Sequence, residues 1–88
     1  MGSYKAYLKP SVEKDLRRLP KAAVPRVMRH IEGLSAEPFP RRVAKVQGAE
    51  RLYRIPVGDY RIVYEVDARA KTITIHYVRH RREVYRGL

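Results

Sequence analysis

With 88 residues and no cysteine, the chain has room for a single small domain, residues 1–88, and excludes disulfides and thiolate metal sites as sources of stability. Twenty Lys and Arg against nine Asp and Glu leave a net charge of +11, an excess that favours a polyanionic partner, nucleic acid first. The N-terminus has no apolar signal core, and no stretch approaches the roughly 18–20 apolar residues of a membrane span, so the expected setting is a reducing cytoplasm with no membrane partner.

Tyr4-Lys5-Ala6-Tyr7-Leu8 alternates loosely and ends at Pro10, which reads as a first strand. Ser11 is expected to cap a short helix that stops near Pro20. Val12, Leu16 and Leu19 give that helix one apolar stripe, and Lys14, Arg17, Arg18 and Lys21 give it a basic one. A second helix begins about Pro25, with Val24, Val27, Met28, Ile31 and Leu34 at helical spacing, and Gly33 and the Ser35–Pro38 run mark its end. Residues 37–50 read as a loop. Three strands follow, Leu52–Val57, Tyr60–Asp67 and Thr72–Arg79, joined by Gly58-Asp59 and by residues 67–71. The order β-α-α-β-β-β predicts an α+β fold, a helical hairpin packed on one face of a small, mostly antiparallel four-stranded sheet.

A two-residue turn at Gly58-Asp59 sets Val57 against Tyr60, Pro56 against Arg61, Ile55 against Ile62 and Arg54 against Val63. Alternation then gathers Tyr53, Ile55, Val57, Tyr60, Ile62 and Tyr64 on one apolar face. Arg54 and Arg61 fall together on the other, as diagonal neighbours roughly 7–8 Å apart. Such a pair is either two solvated side chains on a wet face or two cations that need an anion between them. The last strand runs into Arg79-His80-Arg81-Arg82-Glu83-Val84-Tyr85-Arg86, a cationic run carrying an imidazole and a phenol. His30 and His76 read as structural. No carboxylate pair or HxxxH spacing suggests a metal, and no cofactor is expected.

The segment Tyr53-Arg54-Ile55-Pro56-Val57-Gly58-Asp59-Tyr60-Arg61-Ile62-Val63-Tyr64 resembles the signature of the RelE/ParE toxin superfamily, as does His80-Arg81-Arg82-Glu83-Val84-Tyr85. The Lys45-Val46-Gln47-Gly48 turn and the Asp15-Leu16-Arg17-Arg18-Leu19 helix match more weakly. The resemblance covers nearly the whole chain. It implies a RelE-like fold, ribosome-dependent cleavage of mRNA, and neutralisation by a tightly bound antitoxin. Arg54, Arg61, Arg81 and Tyr85 match the family's functional basic residues and its near-terminal Tyr. Two positions depart: Pro56 stands where some relatives carry a strand lysine, and Arg79 replaces the Gly common before the His/Lys-Arg pair.

Metal-free RNA cleavage needs a proton acceptor at the ribose 2′-OH, positive charge at the phosphorane-like transition state and a proton donor at the 5′-oxygen. Arg61 and Arg81 are the expected phosphate clamps, with Arg54 completing the site. Tyr85 either transfers a proton, helped by arginines that favour the phenolate, or stacks on a base. His80 is a further candidate, although Arg79 and Arg81 flank it and disfavour its protonation. Lys14, Arg17, Arg18, Lys21 and Lys45 are candidate RNA contacts that add affinity without sequence choice. The rival functions are a gyrase-inhibiting toxin on the same fold and a non-enzymatic RNA-binding module.

Overall fold

Pro10 opens the first helix, α1 (Pro10–Arg18), in the computed structural model, which describes residues 3–82. Lys9 precedes it in extended conformation, and proline at the first helical position needs no N–H partner. Ser11 therefore lies inside the helix and does not cap it, contrary to the sequence expectation. Its hydroxyl instead donates to the carbonyl of His76 at 3.0 Å. Arg17 and Arg18 occupy the last turn, where cations complement the helix dipole. Leu19 is extended ahead of Pro20, and the helix stops there.

The second helix, α2 (Ala23–Ala36), buries Val27, Ile31 and Leu34 along one stripe. Gly33 is an exposed interior residue with open space around it, so the helix passes through it and ends three residues later.

Among the described residues, five strands form one sheet: β1 (Lys5–Leu8), β2 (Ala44–Lys45), β3 (Leu52–Val57), β4 (Tyr60–Asp67) and β5 (Thr72–His80), in the order β1-β5-β4-β3-β2. The four-stranded sheet expected from the sequence gains β2, a two-residue edge strand within residues 37–50. Two residues are too few for alternation to show, which is why the segment reads as loop. β1 runs parallel to β5, with Lys5 opposite Thr72 and Leu8 opposite Ile75, and every other pairing is antiparallel.

The β3–β4 register is the one the Gly58-Asp59 turn dictates: Val57 faces Tyr60, Pro56 faces Arg61, Ile55 faces Ile62 and Arg54 faces Val63. Gly58 takes a φ of +60°, as a tight hairpin turn requires. Ile55, Val57, Ile62, Tyr64, Ile73, Ile75 and Val78 point to the helices and form the main core with Val12, Val27, Ile31 and Leu34. Buried Tyr64 donates its hydroxyl to the carbonyl of Pro38 at 2.7 Å, tying the loop after α2 to the sheet.

A bulge separates the two halves of β5. Val63 pairs with Tyr77 and Tyr64 pairs with Ile75, so His76 has no opposite residue. The extra residue shifts the side-chain phase. Ile73 and Ile75 before it and Val78 after it all reach the core, while Tyr77 and Arg79 turn to the face away from the helices. There Tyr77 packs with Val46 and Val63 in a second, smaller apolar cluster. His76 itself bonds Glu65 at 3.1 Å.

β1 covers the outer edge of β5 only as far as Ile75. Beyond that point α1 takes over with two side chains one turn apart. Ser11 serves the His76 carbonyl, and the buried carboxylate of Asp15 accepts the Val78 N–H at 3.0 Å. The exposed backbone of an edge strand is thus satisfied by helix side chains.

Candidate functional site

The sheet face away from the helices carries an arginine from each of three adjacent strands. Arg54 lies on β3 opposite Val63, and Arg61 lies on β4 opposite Pro56 on one side and opposite Arg79 of β5 on the other. Arg54 and Arg61 are therefore diagonal neighbours on one face, as the turn geometry predicts. Pro56 sits past the short β2, which pairs with β3 only at Tyr53 and Arg54. Its missing N–H is tolerated at such an edge.

The hairpin turn holds the guanidinium of Arg61 and the backbone of Arg81. One Nη of Arg61 donates to the carbonyls of Tyr60 at 3.0 Å and Gly58 at 3.4 Å, holding the guanidinium against the turn. The backbone N–H of Arg81 donates to the carbonyl of Asp59 at 2.9 Å, one step beyond the end of β5. Arg81 is exposed and lies beside the turn that anchors Arg61. Arg54 and Arg61 thus share one sheet face, and the backbone of residue 81 is tied to the turn at the end of that hairpin.

His80 is not on that face. It pairs with Tyr60, and the two rings meet edge to face at 5.8 Å between centroids. Its Nδ1 accepts the N–H of Arg82 at 3.3 Å. Tyr85 lies outside the described residues, as do Glu83 and Val84. His30 is exposed on α2 against the Arg26 carbonyl, 2.8 Å from its Nδ1.

The candidate RNA contacts divide in the same way. Lys14, Arg17, Arg18 and Lys21 are all exposed, the last of them beyond the end of α1. Arg18 lines a cleft of about 260 Å³ with Asp15, Leu19, Tyr60, Val78, Arg79 and His80, so the basic face of α1 adjoins the end of β5. Lys45 pairs with Tyr53 and so shares the opposite face from Arg54.

Two residues of this region, Arg79 and Asp15, are not among the site residues expected from the sequence. Arg79 stands directly across from Arg61, its guanidinium carbon 4.2 Å above the Tyr77 ring and its Nε 3.5 Å from a carboxylate oxygen of Asp15. Asp15 is the buried acid that holds it. The break in alternation between Ile75 and Val78 is the sequence signal for Arg79, because it marks the bulge that turns position 79 outward.

Like charges directly opposite one another on neighbouring strands repel. A face built this way is suited to an anion with several oxygens, and guanidinium groups match phosphate with paired hydrogen bonds. The family model for the ParE toxin of type II toxin–antitoxin systems, parDE, matches residues 6–85. The chain belongs to the RelE/ParE toxin superfamily. This RelE-type toxin is 28% identical over 79 residues to "Putative toxin RelE1" of Methanocaldococcus jannaschii, an alignment covering 86% of this chain and 88% of that one. It is similar to the archaeal RelE–RelB complex from Pyrococcus horikoshii, with 36% identity, a TM-score of 0.79 and coverage of 90% of this chain and 96% of the other. The toxin–antitoxin complex RelBE2 from Mycobacterium tuberculosis matches with 26% identity and a TM-score of 0.80, covering 90% of this chain and 99% of that one.

Proposed function

We propose that this RelE-type toxin is a ribosome-dependent endoribonuclease that cleaves messenger RNA without a metal, and that a cognate antitoxin neutralises it. The observation that carries the reading is that Arg54 and Arg61 share the open sheet face while the backbone of Arg81 is tied to the hairpin turn beside Arg61. A metal-free ribonuclease needs such a cluster at the phosphorus under attack. The ribose 2′-oxygen attacks the adjacent phosphorus and loses its proton to a base. The bond to the 5′-oxygen breaks as that oxygen gains a proton, leaving a 2′,3′-cyclic phosphate and a 5′-OH. Arg61 and Arg81 clamp the non-bridging oxygens, and Arg54 completes the charge. Tyr85 is assigned proton transfer or base stacking on sequence grounds.

The solved relatives from Pyrococcus and Mycobacterium are toxin–antitoxin complexes. A chain of charge +11 calls for an acidic partner laid over the same cationic surface. Action on the ribosome places the protein in the cytoplasm.

The family model is that of ParE, which gives a second reading: a gyrase inhibitor on the same fold. Primer extension on transcripts from cells in which the toxin is induced separates the two. Discrete cuts in translated messages support the ribonuclease. Supercoiling defects without cuts support the gyrase inhibitor and end the first reading.

A further inference from the structure

We infer that Arg79 is an additional RNA-binding residue, gripping a phosphate next to the scissile one, and that Asp15 and Tyr77 are the residues that position it. The inference rests on the ribonuclease reading and extends it to a group outside the Arg54, Arg61 and Arg81 set.

Continuing the alternation of Ile73 and Ile75 would send position 79 into the core, where a guanidinium has no place. The bulge at His76 turns it onto the open face instead, directly opposite Arg61. Without an anion that juxtaposition is unfavourable. Asp15 offsets Arg79 alone, because it approaches from α1 at the outer edge of β5, while Arg61 lies on the other side.

Long basic side chains ordinarily lose much rotamer freedom when they grip a ligand. Arg79 is held beforehand. Its guanidinium carbon lies 4.2 Å over the Tyr77 ring, and its Nε is 3.5 Å from Asp15 Oδ1. Asp15 is itself fixed by the Val78 N–H at 3.0 Å. Even so, the Arg79 side chain keeps 32% of its surface in solvent against 6% for Asp15. An ion pair at Nε leaves the edge formed by the two Nη groups directed away from the acid, and that edge matches two phosphate oxygens.

Fluorescence anisotropy with the full chain and a short single-stranded RNA methylated at every 2′-oxygen tests this without cleavage. Arg79→Gln should bind about tenfold more weakly, the effect of losing a hydrogen-bonded charge contact. The slope of log affinity against log salt should fall by about 0.7, one phosphate contact on a single strand. Asp15→Asn should weaken binding while keeping the slope, because the cation remains and only its placement is lost. Arg79→Gln with wild-type affinity and slope overturns the assignment and makes Arg79 merely the partner of Asp15. Failure of the wild-type chain to bind this RNA overturns it equally. If Arg79→Gln does not melt cooperatively, Arg79→Lys decides: a loss of a few-fold with the slope kept supports the assignment, and undiminished affinity sinks it. The ribonuclease reading is judged separately, by whether Arg61→Gln still cuts transcripts in induced cells.

Discussion

The carboxylate of Asp15 and the backbone N–H of Val78, 63 residues apart in sequence, meet at 3.0 Å inside the protein. This bond closes the edge of β5 where β1 ends, and the same carboxylate pairs with Arg79. Asp15→Ala removes the acceptor and leaves a buried N–H and a cation without their partner. The expected cost is about 2–4 kcal/mol. Asp15→Asn keeps an oxygen for Val78 and should cost about 1 kcal/mol. Urea unfolding of the two variants beside wild type checks the order. Equal losses would mean that the ion pair, and not the hydrogen bond, supplies the stability.

Tyr64 predicts a distinct alkaline behaviour. Its phenol is buried and bonded to the Pro38 carbonyl, and burial first, then Tyr53 beside it, push its pKa well above the ordinary value of about 10. The folded state therefore holds the proton after the unfolded chain has released it. The stability is fully present below pH about 10 and is lost as the pH rises beyond that, by up to about 1.4 kcal/mol per pH unit. Tyr64→Phe should cost about 1–2 kcal/mol at neutral pH by leaving the Pro38 carbonyl unsatisfied. The gap between variant and wild type should narrow above pH 10, because only wild type loses this contribution. Urea midpoints from pH 7 to 11 measure it, and a constant gap would contradict the assignment.

The sheet register was legible because Gly58-Asp59 leaves little choice of turn and Tyr53, Ile55, Val57, Tyr60, Ile62 and Tyr64 alternate cleanly around it. The helices were legible from their apolar stripes. The fifth strand was not, since Ala44 and Lys45 are too short a run to show a period. The place of β1 was not either, because a parallel edge strand is set by contacts distant in sequence. The residue type of Ser11 suits a cap, but Pro10 already starts the helix and frees the hydroxyl for His76. At the candidate site, Arg54 and Arg61 followed from the hairpin. Arg79 and Asp15 were hidden because the bulge at His76 breaks the phase in the middle of β5, and because a helical Asp among basic neighbours looks solvated until the strand edge behind it is known.

His80 and Arg61 should behave differently when replaced. Arg61 lies on the open face with its guanidinium pinned at the hairpin turn, whereas His80 packs edge to face on Tyr60 on the opposite side of the sheet. On the ribonuclease reading, Arg61→Gln should lower the cleavage rate by roughly 10²–10³. His80→Gln should stay within a few-fold of wild type, with a stability loss of about 1 kcal/mol for the lost ring contact. Single-turnover cleavage of mRNA on programmed ribosomes gives both rates. A collapse of the rate in His80→Gln with folding intact would move the proton-transfer role to the imidazole.

The basic face of α1 offers a test that leaves the cleavage site untouched. Lys14, Arg17 and Arg18 are exposed, and Arg18 reaches the cleft at the end of β5. If they touch ribosomal RNA, the triple variant Lys14→Gln, Arg17→Gln, Arg18→Gln loses several phosphate contacts together. Each contact adds to the salt dependence of binding, so the variant should bind ribosomes at least tenfold more weakly at low salt, and the difference should fade as salt rises. Arg17 and Arg18 also complement the C-terminal end of the α1 dipole, so a stability loss of about 0.5–1 kcal/mol is expected and must be subtracted. Co-sedimentation with ribosomes at about 50 and 200 mM salt separates the effects. Stability is lost at both concentrations, whereas an electrostatic contact is lost chiefly at the lower one. Equal pelleting of variant and wild type at low salt would reduce the stripe to a solvated helix face, and the ribosome would have to be held by the sheet face alone.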